Sequence, residues 1–264
     1  MPPLPPPSEL IALARQAGDA ILQVYQHEFH VEQKADHSPL TEADLASHRV
    51  ICEGLARLTP EIPILSEESA KIPFATRRQW QRYWLVDPLD GTKEFVKRNG
   101  EFTVNIALID HHQPLLGVVH VPVSDTTYHG HSGSGAWCIQ QGENRAIQVA
   151  PQRQQPLRVV GSRSHAGVEL QRFLDHVGDH QLLSMGSSLK LCLVAAGEAD
   201  IYPRLGPTSE WDTAAAHAIV LAAGGEVTNL QLQPLRYNTK DSLLNPHFLV
   251  FGDRQVDWRN YLRE

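Results

Sequence analysis

Apolar positions set the first elements. Leu10, Ala14, Ala17, Ile21 and Val24 recur at helical spacing behind Ser8, which is placed to cap them. A second helix is predicted after Pro39, opened by the capping pattern Thr41-x-x-Asp44, with Leu45, Cys52 and Leu55 on one side. Period-two runs then predict strands over 83–86, 102–109, 115–121, 126–129 and 136–139. The first half thus reads as α+β, two helices against a largely antiparallel sheet. From about residue 157 the pattern alternates: strands over 157–160, 182–185, 199–202 and 248–251, with helices over 165–176, 188–196 and 212–223. That alternation predicts a second, α/β unit. The Gln-rich, aperiodic stretch 140–155 is the best boundary, giving an N-terminal α+β domain over 8–150 and a C-terminal α/β domain over 151–264.

Composition removes several function classes. The 264 residues carry 23 Lys and Arg against 30 Asp and Glu, a net charge of −7. A protein whose main task is neutralising DNA or RNA phosphates is excluded, while a local basic pocket for a small phosphate ligand is not. Cys52, Cys138 and Cys192 are scattered, with no C-x-x-C pair. They read as reduced thiols in a cytoplasmic protein rather than a disulfide framework. The opening MPPLPPPSEL has neither the basic nor the apolar region of a secretory signal and reads as a proline spacer. No apolar run approaches the roughly 20 residues of a membrane span, so no integral membrane segment is expected.

The sharpest chemical segment is Asp87-Pro88-Leu89-Asp90-Gly91-Thr92, directly after an apolar strand. Two carboxylates across a proline-stiffened turn can converge on a hard cation. Gly91 permits a tight backbone, and Thr92 can open a helix whose free amides suit a phosphate. The same residues also make an ordinary turn, and local composition leaves both readings open. Taken alone, Glu67-Glu68 is a solvated pair, Asp44 a capping-box residue and Asp212 a helix N-cap. Taken together, Glu67, Asp87, Asp90 and Asp212 all stand at strand ends or helix starts, the places that converge on the ligand crevice of an α/β architecture. Four carboxylates so gathered would repel by about 4 kcal/mol per close pair. Such a cluster calls for two or more divalent ions able to bind a phosphate in common.

His111-His112 reads as a turn. His129-x-His131 lacks further ligands at zinc spacing. Ser132-Gly133-Ser134-Gly135 lacks the Lys-Ser/Thr ending of a phosphate-binding P-loop and reads as a hairpin loop.

Three segments carry a resemblance: Leu65-Ser66-Glu67-Glu68-Ser69, Trp84-Leu85-Val86-Asp87-Pro88-Leu89-Asp90-Gly91-Thr92, and Glu210-Trp211-Asp212-Thr213-Ala214-Ala215. In order and spacing they resemble the signatures of the inositol monophosphatase superfamily of metal-dependent, lithium-sensitive phosphatases. The runs Gly91-Thr92-Lys93-Glu94-Phe95, Gly186-Ser187-Ser188-Leu189-Lys190 and Tyr202-Pro203-Arg204 resemble its bacterial CysQ-type 3'(2'),5'-bisphosphate nucleotidase subgroup. The resemblance implies a layered αβαβα sandwich of the inositol monophosphatase and sugar phosphatase type. It implies two or three Mg²⁺ ions held by Glu67, Asp87, Asp90, Asp212 and the Leu89 carbonyl. Thr92 and Asp44 would position and deprotonate the attacking water. The backbone at Gly91 and Thr92 would hold the scissile phosphate, with Ser187, Lys190, Arg204 and His165 on the nucleotide. Glu67, Leu89, Asp90 and Asp212 thereby also border the substrate.

The activity implied is removal of the 3'-phosphate of 3'-phosphoadenosine 5'-phosphate to give AMP and phosphate, with the corresponding phosphosulfate as a further substrate. Inositol or sugar phosphate hydrolysis is the alternative on the same metal core, and a non-catalytic phosphate-binding regulator is another. Covalent aspartyl-phosphate chemistry needs Asp-x-Asp-Gly-Thr, which this chain lacks. The resembled class also has members attached peripherally to the cytoplasmic face of the inner membrane, although no basic amphipathic helix here argues for it. Oligomeric state is left open.

Overall fold

The computed structural model describes residues 4–27, 31–33, 39–162 and 167–262. The first half runs α1 (Pro7–Tyr25), β1 (Val31–Gln33), β2 (Pro39–Thr41), α2 (Glu42–Leu58), β3 (Ile64–Ser66), α3 (Phe74–Arg77), β4 (Arg82–Asp90) and α4 (Thr92–Val96). It continues through β5 (Thr103–Asp110), β6 (Gln113–Val121), β7 (Thr126–His131), β8 (Gly135–Gln140) and β9 (Glu143–Ile147). The second half runs β10 (Leu157–Ser162), α5 (Val168–Val177), β11 (His180–Met185), α6 (Leu189–Ala195), β12 (Ile201–Arg204), α7 (Glu210–Ala222), β13 (Glu226–Asn229) and β14 (Phe248–Phe251).

Strands β3 to β9 form one seven-stranded sheet in chain order. Only the β3–β4 pair in it is parallel. The second sheet has the order β11-β10-β12-β14-β13, parallel on the β11 side and antiparallel around β14.

Side-chain alternation divides each strand between two layers. In β4, Trp84 and Val86 pack with Leu10, Ala17 and Ile51 of α1 and α2, while Tyr83 and Leu85 join Leu191, Ala215 and Ile219 of α6 and α7 on the other face. In β14, Phe248 and Val250 face that same middle layer, and Leu249 and Phe251 face Phe173 of α5 and Trp258. The result is the five-layer αβαβα sandwich, with α6 and α7 between the sheets.

Several expectations need correction. On α2 the buried face is Ala43, Asp44, Ser47, Ile51, Gly54 and Leu55, whereas Leu45 is 43% exposed and Cys52 only half-buried. The apolar pattern gave the wrong phase because two polar residues occupy the inward face. The stretch 140–155 contains β9, an edge strand whose largely exposed residues carry no alternation. The strands β1, β2 and β13 had no clear signal either. The helix expected over 165–176 begins at Val168, and residues 163–166 lie outside the described set. Other readings hold: the three cysteines are free, His111 and His112 form the β5–β6 turn, and 132–134 form the β7–β8 hairpin loop, with Gly135 opening β8.

Helix α7 approaches the seven-stranded sheet closely enough that only glycine fits beneath it. A Cβ on Gly117 of β6 would stand 2.0 Å from the Ala215 carbonyl oxygen, and one on Gly130 of β7 would stand 2.9 Å from the Ile219 Cα. Both obstacles are helix backbone, so a side-chain rotation cannot relieve them. Gly117→Ala should cost at least about 3 kcal/mol, the upper end of overpacking penalties. Gly130→Ala should cost less, and urea denaturation monitored by circular dichroism would measure both.

Candidate active site

Asp87 and Asp90 are three residues apart on β4, so a regular strand would point them to opposite faces. They do not diverge, because the ladder to β5 slips between them. Asp87 pairs with Asn105 and Asp90 with Thr103, three residues against two, which is a β-bulge at Pro88-Leu89. Asp87 has the parity of Tyr83 and Leu85 and faces the middle layer, where α7 begins. Carboxylate oxygens of Asp87, Asp90 and Asp212 there lie within 4.8 Å of one another. Glu67, which follows β3, shares a hydrogen bond with Asp87 and adds a fourth carboxyl.

Asp212 is not the N-cap of α7. Ser209 holds that position, and Asp212 is the third residue of its capping box, accepting from the Ser209 N–H at 2.9 Å. This spends one carboxylate oxygen on the helix and fixes the direction of the other.

The electrostatic state follows from crowding in a dry place. Burial raises the Asp87 carboxyl well above its ordinary value, and the charges of Glu67, Asp90 and Asp212 add to the rise. Burial also raises Asp212, reinforced by Asp90 and Glu67. Asp90 is pushed up to about 6 by burial, against the opposing pull of Lys190, the Ser188 N–H and the Asn105 amide. Carboxyls in this condition need protons or a cation between them. Their all-oxygen donor set fits a hard divalent ion, with the Leu89 carbonyl facing the same turn.

Beside the cluster, Thr92 Oγ1 donates toward Asp44 Oδ1 at 3.4 Å and toward the Leu89 carbonyl at 3.3 Å. The other Asp44 oxygen is held by the Thr41 N–H and hydroxyl, each at 2.7 Å. Asp44 is therefore at once the third residue of the α2 capping box and the partner of Thr92. Gly91, at φ +92°, has the left-handed backbone that turns β4 into α4, and the Glu101 carbonyl 3.1 Å from its would-be Cβ leaves no room for a side chain.

A cavity of about 230 Å³ opens here, bordered by Asp90, Gly91, Thr92 and Asp212 and by Ser187, Lys190 and Arg204. Lys190 is 6% exposed, and its ammonium donates to the carbonyls of Ser187 and Met185. Burial lowers it to about 8, opposed chiefly by Asp90. Arg204 Nε donates to Thr208 Oγ1 and Nη2 to the Pro207 carbonyl. Ser187 has φ +44°, and its hydroxyl has no partner among the described residues. His165 lies outside the described residues.

Sequence reasoning missed Asn105 and Ser188. Ser188 donates its N–H to Asp90 at 2.6 Å and its hydroxyl to the Asn105 carbonyl at 2.9 Å, and the Asn105 amide reaches Asp90 at 3.4 Å. An asparagine in the middle of the apolar strand Thr103–Asp110 was the available signal.

The sequence model of the inositol monophosphatase family matches residues 8–255. The chain belongs to that family. A family relative from Escherichia coli O157:H7, named 3'(2'),5'-bisphosphate nucleotidase CysQ, is 56% identical over 244 residues, 92% of this chain and 98% of that protein. The crystal structure of CysQ from Bacteroides thetaiotaomicron, a bacterial member of the inositol monophosphatase family, matches with a TM-score of 0.78 at 42% identity, covering 94% of this chain and 97% of that one. The extragenic suppressor protein suhB from Bartonella henselae matches with a TM-score of 0.81 at 25% identity, over 97% and 98% of the two chains. The family match and the solved relatives account for the sandwich.

The raised carboxyls predict a pH signature. In the metal-free protein the fold keeps protons on these groups at pH values where the unfolded chain, with aspartate near 3.9, has lost them. The Asp90 contribution to stability is therefore full below about pH 4 and is lost as pH rises through about 6, and Asp87 and Asp212, also raised, act in the same direction. Buried His120 and His217, lowered to about 4 and about 3, act oppositely below about pH 6.5. The informative quantity is thus the difference with and without metal at each pH. The rise in Tm on adding Mg²⁺ should grow from pH 5 to pH 8 in differential scanning fluorimetry, since the metal competes with protons.

Proposed function

We propose that this protein is a Mg²⁺-dependent 3'(2'),5'-bisphosphate nucleotidase, removing the 3'-phosphate of 3'-phosphoadenosine 5'-phosphate to give AMP and phosphate. The carrying observation is that one cavity has both an acidic pole, built from Asp90 and Asp212, and a basic pole, built from Lys190 and Arg204. The first suits a metal-held scissile phosphate and the second a further phosphate on the same molecule. The 56% identical relative bears that activity in its name.

Bound between Glu67, Asp87, Asp90, Asp212 and the Leu89 carbonyl, divalent ions would neutralise the phosphate and make water acidic enough to attack at neutral pH. The chain's own residues do the rest. With its proton directed at Asp44 Oδ1, the Thr92 hydroxyl turns its lone pairs away from Asp44 and can accept a proton from the attacking water. The displaced proton passes to Asp44, whose other oxygen is already fixed by Thr41. Gly91 and Thr92 contribute backbone at the start of α4 to hold the phosphate. Lys190 and Arg204 both border the cavity, and their positive charge is placed to meet the second phosphate. Inositol or sugar phosphate hydrolysis would use the same carboxylates, but a single-phosphate substrate gives the basic pole nothing to bind.

Two outcomes test this reading. Phosphate release should vanish in excess chelator and return with Mg²⁺, and Asp87→Asn or Asp90→Asn should each lower turnover by orders of magnitude. Activity that persists in chelator would remove the metal from the reaction. Lys190→Ala and Arg204→Ala should each lower kcat/KM for the bisphosphate nucleotide about 10- to 150-fold, the worth of one charged hydrogen bond. Arg204→Ala should barely affect 3'-AMP, whereas Lys190→Ala, which also removes the charge beside Asp90, should lower 3'-AMP turnover in part. Equal losses on the two substrates in Arg204→Ala would tie that residue to the acidic pole or to folding.

A further inference from the structure

The inward face of α2 does more than present Asp44. Asp44, Ser47 and His48 follow at i, i+3 and i+4, the spacing of one helix face. Each reaches a different part of the carboxylate site. Asp44 meets Thr92. Ser47, fully buried, donates its hydroxyl to the Pro88 carbonyl at 2.7 Å, inside the bulge between Asp87 and Asp90. His48 Nδ1 shares a 2.8 Å hydrogen bond with the Ser66 hydroxyl.

Ser66 is the residue before Glu67 and ends β3. That strand has three residues, lies at the sheet edge and pairs only with β4. Its ladder stops at Ser66 opposite Val86, so Glu67 projects beyond the last backbone pairing. Glu67 must nevertheless be held beside Asp87, with which it shares a hydrogen bond only while one of the two carboxyls keeps a proton. The Ser66 side chain is fully buried, and its bond to His48 ties the helix to this strand end.

We propose that His48 is a positioning residue for the metal site: through Ser66 it fixes the Glu67 arm against Asp87 and so sets the affinity for a divalent cation. Ser47 does the same for the β4 arm, which makes α2 the common frame of both. The inference rests on the metal-centre reading of the carboxylate cluster. Residues that orient metal ligands from outside typically change metal affinity 10- to 100-fold when lost.

The test is a titration with Mg²⁺ alone, without substrate, read by isothermal calorimetry and by the Mg²⁺-induced shift in Tm. His48→Leu and Ser66→Ala should each need about tenfold more Mg²⁺ for the half-maximal shift. His48→Asn, whose amide nitrogen can stand where imidazole Nδ1 does, should keep the wild-type value. Unchanged Mg²⁺ affinity in His48→Leu and Ser66→Ala would overturn the proposal. So would a loss in His48→Asn equal to that in His48→Leu, because packing alone would then explain it. If His48→Leu does not fold, Ser66→Ala decides the question by itself. No response in the wild-type protein would fail the metal-centre reading and take this proposal with it. A normal wild-type response with unaltered variants would fail this proposal alone.

Discussion

Mutual repulsion among crowded carboxyls is the constraint that the rest of this structure serves. Two unit charges 4 Å apart repel by about 4 kcal/mol even at an effective dielectric of 20, and Asp87, Asp90 and Asp212 bring oxygens within 4.8 Å. The fold answers with fixed dipoles and nearby cations. Asp90 takes the Ser188 N–H, Asp212 takes the Ser209 N–H, and Lys190 sits opposite Asp90. These donors reduce the strain without removing it, since all three carboxyls remain raised. The remaining imbalance gives the site its appetite for a cation.

The sandwich makes that crowding possible by routing three separate chain segments into one layer. The β4 bulge turns two aspartates to the same side, the capping box of α7 aims a third, and the end of β3 brings Glu67. Close contact of α7 with Gly117 and Gly130 sets the depth at which Asp212 arrives. A site assembled this way depends on packing far from any ligand, and its geometry is no better defined than the helix-to-sheet contact that supports it.

Much of this was legible in the sequence because its signals are local. The capping box at Thr41, the apolar approach to Asp87 and the helix after Trp211 are each contained within a few residues. What was hidden depends on distant partners. The phase of α2 was misread because Asp44 and Ser47 face inward to meet residues about 40 or more positions away. Asp212 was taken for a cap because the Ser209 box looks the same in one dimension from either end. Asn105 and Ser188 draw their role from each other across 83 positions. The strand β9 escaped because an exposed edge needs no alternation.

The place of β14 has a consequence for how the molecule comes into being. Phe248–Phe251 is the last strand among the described residues, yet it lies between β12 and β13 in the second sheet. While a ribosome is still extending the chain, β12 and β13 can both have emerged with no way to pair, because the strand that separates them has yet to be made. Tyr202, on the wall of the cavity, packs edge-on against Phe248. The basic side of the pocket therefore waits on residues 248–251, and a nascent chain that already holds all four carboxyls of the cluster still lacks the strand against which that wall is laid.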